Sequence, residues 1–215
     1  MSKKISSAEM RRKPRQARSQ ARVDRILTAA ETLFLEQGYE ATTTNEIAAR
    51  AEVAIGSLYQ FFSGKSAIVQ ALAERYMAIL EAKFHALHQN DIERISISDY
   101  VDRIIAATAQ FFEECPGYHA IFTQVQGIVP ELSAIESAAD NRLIQDWATI
   151  LAATFSGLDE EDYHAISYVL VKAIGTLLWL SPTCEHPFQQ RLIAETKRLM
   201  LSYLESYFPA VATES

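Results

Sequence analysis

Two short helical segments near residue 50 constrain the fold of this sequence more than any other feature. Their apolar residues predict one helix from Asn45 to Ala51 and a second from Ile55 to Phe62, separated only by Glu52-Val53-Ala54. Two helices joined by so few residues form the outline of a helix-turn-helix. The same spacing also fits a small helical hairpin buried in a larger core, so the spacing alone leaves both interpretations open.

Helical patterns occupy the rest of the chain as well. Apolar residues recur at three- and four-residue steps from about Arg18 to Gly38, and Thr43-x-x-Glu46 has the form of a capping box. Downstream, the pattern predicts further helices over 65–88, 98–114, 118–128, 131–156, 159–180 and 187–208. No segment shows the alternation of apolar and polar residues that is typical of a β-strand. Only 7 glycines and 6 prolines are available for the turns that a β protein needs. We therefore expect an all-α fold.

Positive charge is concentrated at the start of the chain. Residues 1–25 hold nine Lys or Arg and two acidic residues, whereas residues 66–215 hold nine basic and 20 acidic residues. Residues 1–17 lack a hydrophobic period, and we expect them to form a flexible basic arm. This distribution favours contact between the front of the chain and a polyanion, although a solvated tail without a partner would have the same composition.

Several classes of protein are disfavoured because the residues they require are missing. Cys115 and Cys184 lie far apart without a Cys-x-x-Cys spacing, and the histidines show no metal-ligand spacing, so we expect neither a metal nor another cofactor. The most apolar stretch, Tyr168 to Leu180, is shorter than the about 20 residues that span a bilayer. No secretory signal is visible, and we expect a soluble, cytoplasmic protein without a membrane partner.

Two longer motifs surround the short helices. The first is Ile26-Leu27-x-Ala29-Ala30-x-x-Leu33-Phe34-x-x-x-Gly38-Tyr39-x-x-Thr42-Thr43-x-x-x-Ile47-Ala48, and the second is Ile55-Gly56-Ser57-Leu58-Tyr59-Gln60-x-Phe62-x-x-Lys65. Together they resemble the DNA-binding domain of the tetracycline-repressor (TetR) family over residues 22–68. The resemblance implies an all-α homodimer in which residues 18–65 form a three-helix, helix-turn-helix DNA-binding domain. It also implies that residues 66–215 form a larger helical domain with a ligand site and the dimer interface.

The resemblance also implies which residues lie at or near DNA: Thr44, Gly56, Ser57, Tyr59, Gln60 and Lys65. Thr43 and Thr44 stand at a helix N-terminus, whose free N–H groups suit a phosphate. Tyr59 can donate its hydroxyl to a phosphate, and Lys65, at the start of another helix, adds a cation. Because phosphate contacts carry no sequence information, base reading is expected of the outward residues around the second short helix. These residues are Ala54, Ile55, Ser57 and Gln60.

Two residues depart from the family pattern. Glu52 stands at a turn position where the family usually has glycine, so its backbone must accept a conformation that strains other residues. Ala54 replaces the usual serine or threonine and removes a phosphate donor. The basic arm, from Lys3 to Arg18, can compensate by following the DNA backbone or the minor groove.

The larger domain offers candidates for a ligand site and for a dimer interface. Aromatic residues between helices can line an apolar pocket, although a packed core accounts for any single one of them. The expected pocket residues are Phe111, Phe122, Trp147 and Tyr168. Wide apolar faces on the last two helices predict a four-helix dimer interface. Its expected residues are Val169, Ala173, Leu177, Leu192, Leu199 and Tyr203.

These interpretations combine into one hypothesis of function. The chain is expected to be a ligand-responsive transcriptional regulator that acts as a repressor. It is not expected to be an enzyme. It would bind a palindromic double-stranded operator as a homodimer and be released by a small apolar or amphipathic effector. A regulator without a small-molecule effector, or an activator, remains an alternative. A helical-bundle enzyme or carrier would need a metal or nucleophile constellation that the sequence does not show.

Overall fold

The structure is a computed structural model that describes residues 17–88 and 96–209. Apart from Ala17, the predicted basic arm therefore lies outside the described residues. The described residues form nine α-helices and a short 3₁₀ turn over Ser181–Thr183. The helices are α1 (Ala17–Gln37), α2 (Thr44–Arg50), α3 (Ile55–Phe61), α4 (Lys65–His88), α5 (Ile97–Glu114), α6 (Pro116–Val125), α7 (Glu131–Thr154), α8 (Glu160–Leu180) and α9 (His186–Tyr207). The predicted all-α fold is confirmed.

Local residues explain why several of these helices begin and end where the sequence predicts. Gly38 has a φ of 86° and follows the last residue of α1 in the left-handed conformation that glycine adopts without strain. In α6 the predicted start at residue 118 is wrong: the helix begins at Pro116, which stands in its first turn, where the missing N–H costs nothing. The Asp159 side chain accepts a hydrogen bond from the Asp162 N–H at 2.9 Å and caps α8.

The described chain divides into two compact units. One contains residues 17–77 with 115–136, and the other contains residues 78–88, 96–114 and 137–209. The packing units divide within α4 after Met77. The domain boundary expected at residue 65 stays a prediction. The first unit includes α6, which packs against α1.

The core of the first unit explains how its short helices stay folded. Ile26 and Phe34 of α1, Ile47 of α2, and Leu58 of α3 have no solvent-exposed surface. Seven-residue helices are too short to be stable alone in water, so this shared core supplies most of their stability. Packing thus holds α2 and α3 in a fixed arrangement.

The second unit has its own core, built around an aromatic cluster. The Trp147 ring of α7 lies 5.9 Å from the ring of Phe84 and 6.3 Å from that of Tyr100. Burial raises the pKa of the Tyr100 hydroxyl well above its ordinary value. Met200 and Leu204 of α9 are buried in the same cluster.

Among the described residues, one helical stretch, Glu160–Thr183, is long and apolar enough to cross a membrane by length and composition alone. The α8 helix in this stretch has seven buried side chains, and its Lys172 forms an ion pair with Asp140 of α7, as in a helix packed in a protein core.

Candidate nucleic-acid interface

The N-terminus of α2 is built by the predicted capping box. The Thr43 hydroxyl accepts a hydrogen bond from the Glu46 N–H at 3.2 Å, and the Thr43 N–H donates to the Glu46 carboxylate at 2.8 Å. The Thr43 hydroxyl donates to the same carboxylate at 2.8 Å. These bonds, the main-chain one above all, hold the pKa of the Glu46 carboxyl below its ordinary value. The prediction of a capping box is confirmed, and the hydroxyl of Thr43 is engaged within the chain.

The second short helix presents an uncharged face to solvent. Ile55 and Tyr59 are 37% and 41% exposed, and Gly56 and Gln60 are also exposed. At 100° per residue these four positions lie side by side on α3, and half-buried Ser57 lies at the edge of that face. A Cβ at Gly56 would meet no atom within 4 Å, so this side of the helix is open for close approach. We call Ile55, Gly56, Tyr59 and Gln60 the α3 outer face.

A pair of hydroxyls joins the two short helices at this face. The Thr44 hydroxyl of α2 and the Tyr59 hydroxyl of α3 lie 2.9 Å apart, within hydrogen-bond distance. Thr44 is the first residue of α2, where main-chain N–H groups lack helical partners. The structure therefore brings together two of the residues predicted to contact phosphate.

The turn between α2 and α3 has the strained geometry that the sequence predicts. Glu52 has a φ of 54°, and it is the non-glycine residue with positive φ among the described residues. Its N–H donates to the Ala49 carbonyl, and the next N–H, of Val53, donates to the Ala48 carbonyl. Ala54 is the N-cap of α3 and provides no side-chain cap. Both departures from the family pattern thus have local structural consequences.

Lys65 has partners that the sequence does not reveal. Its ammonium donates to the main-chain carbonyls of Tyr39 at 2.7 Å and Glu40 at 3.1 Å, and it lies 4.5 Å from the centre of the Tyr39 ring. The phosphate contact expected of Lys65 stays a prediction. The structure adds a second role, because this cation holds the segment between α1 and α2.

Charged residues beside the interface are divided between paired and exposed groups. Arg50 at the end of α2 forms an ion pair with Glu36 of α1 at 2.9 Å. In α1, Arg18, Arg22 and Arg25 are exposed and share one face at steps of four and three residues. The count of basic residues over 1–25 does not separate these three arginines from the rest. Their spacing in the sequence, however, already places them on one helical face.

The four residues expected to line a pocket are distributed over both units. Phe111 and Trp147 are buried in the second unit, whereas Phe122 is buried in the first, where its ring lies 6.0 Å from that of Tyr76. Tyr168 is 48% exposed. Because α8 is apolar on most sides, composition alone does not show which of its sides faces inward. The role of these four residues in ligand binding stays a prediction.

The residues expected at a dimer interface lie on an open side of the last two helices. Val169 of α8 is 45% exposed and Leu199 of α9 is 51% exposed. The other predicted residues are half-buried: Ala173, Leu177, Leu192 and Tyr203. Their role in dimerisation stays a prediction.

Two family models match the chain. Residues 26–72 match the model of bacterial regulatory proteins of the tetR family, and residues 96–204 match the model described as the tetracyclin repressor-like C-terminal domain. This chain belongs to the TetR family. A TetR-family chain is a DNA-binding transcriptional regulator and not an enzyme.

Relatives with known roles are regulators too. This TetR-family chain is 28% identical over 197 residues to the transcriptional activator FasR of Mycolicibacterium smegmatis, covering 84% of this chain and 86% of FasR. It is 36% identical over 74 residues to the transcriptional repressor KstR of Rhodococcus jostii, covering 34% of this chain and 35% of KstR. A TetR-family regulator from Streptomyces coelicolor shares the fold with a TM-score of 0.60, at 24% identity over 86% of this chain and 98% of that one.

Proposed function

We propose that this TetR-family regulator is a homodimeric, ligand-responsive repressor that binds a palindromic operator. The observation that carries the proposal is the exposed, uncharged α3 outer face beside the N-terminus of α2. Such a face can enter the major groove, where Gln60 pairs with a base edge and Ile55 contacts a thymine methyl group. The hydroxyls of Thr44 and Tyr59 then serve the neighbouring phosphates. A DNA-bound regulator of this kind acts in the cytoplasm.

Dimerisation is supported by the apolar side of α8 and α9. Exposed Val169 and Leu199 would leave apolar surface in water in a monomer, and pairing with a second copy removes that surface. A two-fold axis makes the same patch serve both subunits, and a two-fold dimer matches a palindromic DNA site.

An apolar effector is supported by the interior of the second unit. A narrow cavity there is lined by Ile97, Tyr100, Ile150, Leu151, Thr154, Phe155 and Leu204. It has room for about one water molecule, so an effector enters by displacing these side chains. The lining has no ionised group, and a charged ligand would lose its hydration there without a counter-ion. This favours an uncharged effector.

A second candidate is activation instead of repression. FasR is named an activator and aligns with most of this chain, whereas KstR is named a repressor and aligns with about a third. A reporter gene separates the two. With the binding site overlapping the promoter, a repressor lowers expression; an activator raises expression from a site upstream of it.

The DNA-binding proposal is tested by selection from a randomised duplex library with the full chain. The expected product is a palindrome with two half-sites centred one helical turn, or a multiple of it, apart. Selection of a single asymmetric half-site at one subunit per duplex would contradict the proposed homodimer.

The dimer interface is tested by Leu199→Glu, with Ala194→Glu as a matched control on the opposite, exposed side of α9. Sedimentation should show a monomer for Leu199→Glu because the interface would bury an unpaired carboxylate. Ala194→Glu should remain dimeric. Equal behaviour of the two variants would remove α9 from the interface.

A further inference from the structure

The segment between α1 and α2 is fixed by a residue far away in the sequence. The Tyr39 N–H, two residues beyond the end of α1, donates to the Gln124 side-chain oxygen of α6 at 2.9 Å. The Gln124 amide nitrogen donates in turn to the Ala120 carbonyl at 3.0 Å, which orients the side chain. A Cβ at Gly38 would lie 3.3 Å from the same Gln124 oxygen. The Gln124 side-chain oxygen therefore lies directly against the backbone at Gly38 and Tyr39.

Three carbonyls of this segment are bound by residues of the DNA-binding region itself. The Thr42 hydroxyl donates to the Gly38 carbonyl at 2.7 Å, and Lys65 takes the carbonyls of Tyr39 and Glu40. Gln124 lies outside residues 26–72, the part of the chain that matches the DNA-binding family model. It thus contributes from elsewhere in the sequence to the scaffold of the DNA-binding region.

The position of this segment decides the position of the α2 N-terminus. Thr42 is fully buried and directly precedes the N-cap Thr43. The Gln37 amide donates to both the Thr42 hydroxyl at 3.3 Å and the Glu46 carboxylate at 3.4 Å. A displaced Tyr39 therefore shifts the start of α2 and, with it, the hydroxyl pair of Thr44 and Tyr59.

The other end of α6 is fixed as well, so Gln124 has a defined location. Gly117 lies against the Tyr76 hydroxyl and the Glu31 carboxylate, and a Cβ there would collide with both. The Tyr76 hydroxyl donates to Glu31, which also pairs with Arg75. Gly117 and Gln124 are seven residues apart, about two helical turns, and share one face of α6.

We propose that Gln124 is a positioning residue for DNA binding. Its side-chain oxygen holds the Tyr39 N–H and thereby places the first turn of α2 against the phosphate backbone. The proposal rests on the DNA contacts of the proposed function. It adds a residue of the C-terminal family domain to those that set affinity for DNA.

The test compares Gln124→Met, which keeps the length of the side chain without its acceptor, with Gln124→Glu, which keeps an acceptor oxygen. Thr123→Val is the control, because the Thr123 hydroxyl donates to the His119 carbonyl within α6. The measurements use the full chain. They are amide hydrogen exchange at Tyr39 and affinity for the duplex that the wild-type protein selects from a randomised library.

In Gln124→Met the Tyr39 amide should exchange about tenfold faster, and the variant should bind the duplex about tenfold more weakly, a loss typical of one hydrogen bond. Amides within α6 should keep their wild-type rates. Gln124→Glu should restore both quantities to within about threefold, and Thr123→Val should match the wild type.

Two results would overturn this inference alone: wild-type affinity in Gln124→Met, or faster exchange throughout α6 without rescue by Gln124→Glu. The second result would mean that the residue stabilises α6 in general. A wild-type chain that selects no duplex would instead overturn the proposed function, and the positioning role with it.

Discussion

The hydroxyls of Thr44 and Tyr59 lie 2.9 Å apart and link the first residue of α2 to the outer face of α3. One hydrogen bond between them uses one hydroxyl proton and leaves the other to donate. A phosphate oxygen beside the pair can accept that proton together with main-chain N–H groups of the α2 N-terminus. We therefore expect the two helices to hold one phosphate through this uncharged anchor, the hydroxyl pair of Thr44 and Tyr59.

A double-mutant cycle tests this anchor. Thr44→Val and Tyr59→Phe should each weaken binding to the selected duplex by about 1 kcal/mol, and the double variant should lose less than the sum because the hydroxyls act as a pair. Filter binding or fluorescence anisotropy measures the effect. Thr32→Val serves as control, since its hydroxyl bonds the Thr28 carbonyl within α1. Fully additive losses would show two independent contacts.

Gln60 is expected to read a base. Gln60→Ala should cost about 1–3 kcal/mol on the best duplex and relax the preference at one base position in each half-site. The measurement is a repeat of the library selection with the variant. Gln110→Ala removes an exposed glutamine from α5 and should leave the selected sequence unchanged. A uniform loss across all sequences in Gln60→Ala would assign this side chain to the backbone.

Lys65 is expected to affect folding and DNA binding together. Lys65→Met should lower the free energy of unfolding by about 1–3 kcal/mol, because the Tyr39 and Glu40 carbonyls lose a charged donor. The substitution should also weaken binding to specific and to non-specific DNA by the same factor. Thermal denaturation and binding at two salt concentrations measure these effects. Arg142→Met breaks an exposed ion pair with Glu81 and should cost less than about 1 kcal/mol.

Acid should release the α2 cap at a pH below that at which ordinary carboxylates titrate. The pKa of Glu46 is lowered, so its stabilising effect is present above the unfolded-state pKa and is lost as pH falls through the folded-state value. Carboxyl NMR titration of Glu46 should show this low pKa, and Thr43→Ala should raise it. Arg50→Ala should raise the pKa of Glu36, which the hydrogen bond from Arg50 lowers, but leave the pKa of Glu46 unchanged.

Residues that act through their own sequence neighbours could be predicted. Gly38 and the Thr43–Glu46 capping box determine helix ends through local geometry, and the structure has both features where the pattern places them. The strained turn at Glu52 was predictable for the same reason, since its conformation is a property of a few consecutive residues.

Contacts between distant residues could not be predicted. Gln124 and Tyr39 are 85 residues apart, and nothing in either neighbourhood indicates the other. A lysine at a helix start suits a phosphate and a main-chain carbonyl equally, so the bonds of Lys65 to Tyr39 follow only from packing. The exposure of Tyr168 could not be predicted either, because the rotation of a mostly apolar helix is set by its neighbours.

The positive φ of Glu52 bears on how readily evolution can adjust this regulator. A residue other than glycine in the left-handed region costs about 1 kcal/mol or more, and the exposed Glu52 adds a negative charge to the unit that meets a polyanion. Glycine would remove both penalties, and glutamate and glycine codons differ by one nucleotide. We therefore expect a single-nucleotide change at Glu52 to strengthen binding to DNA, so the fold itself does not limit the affinity.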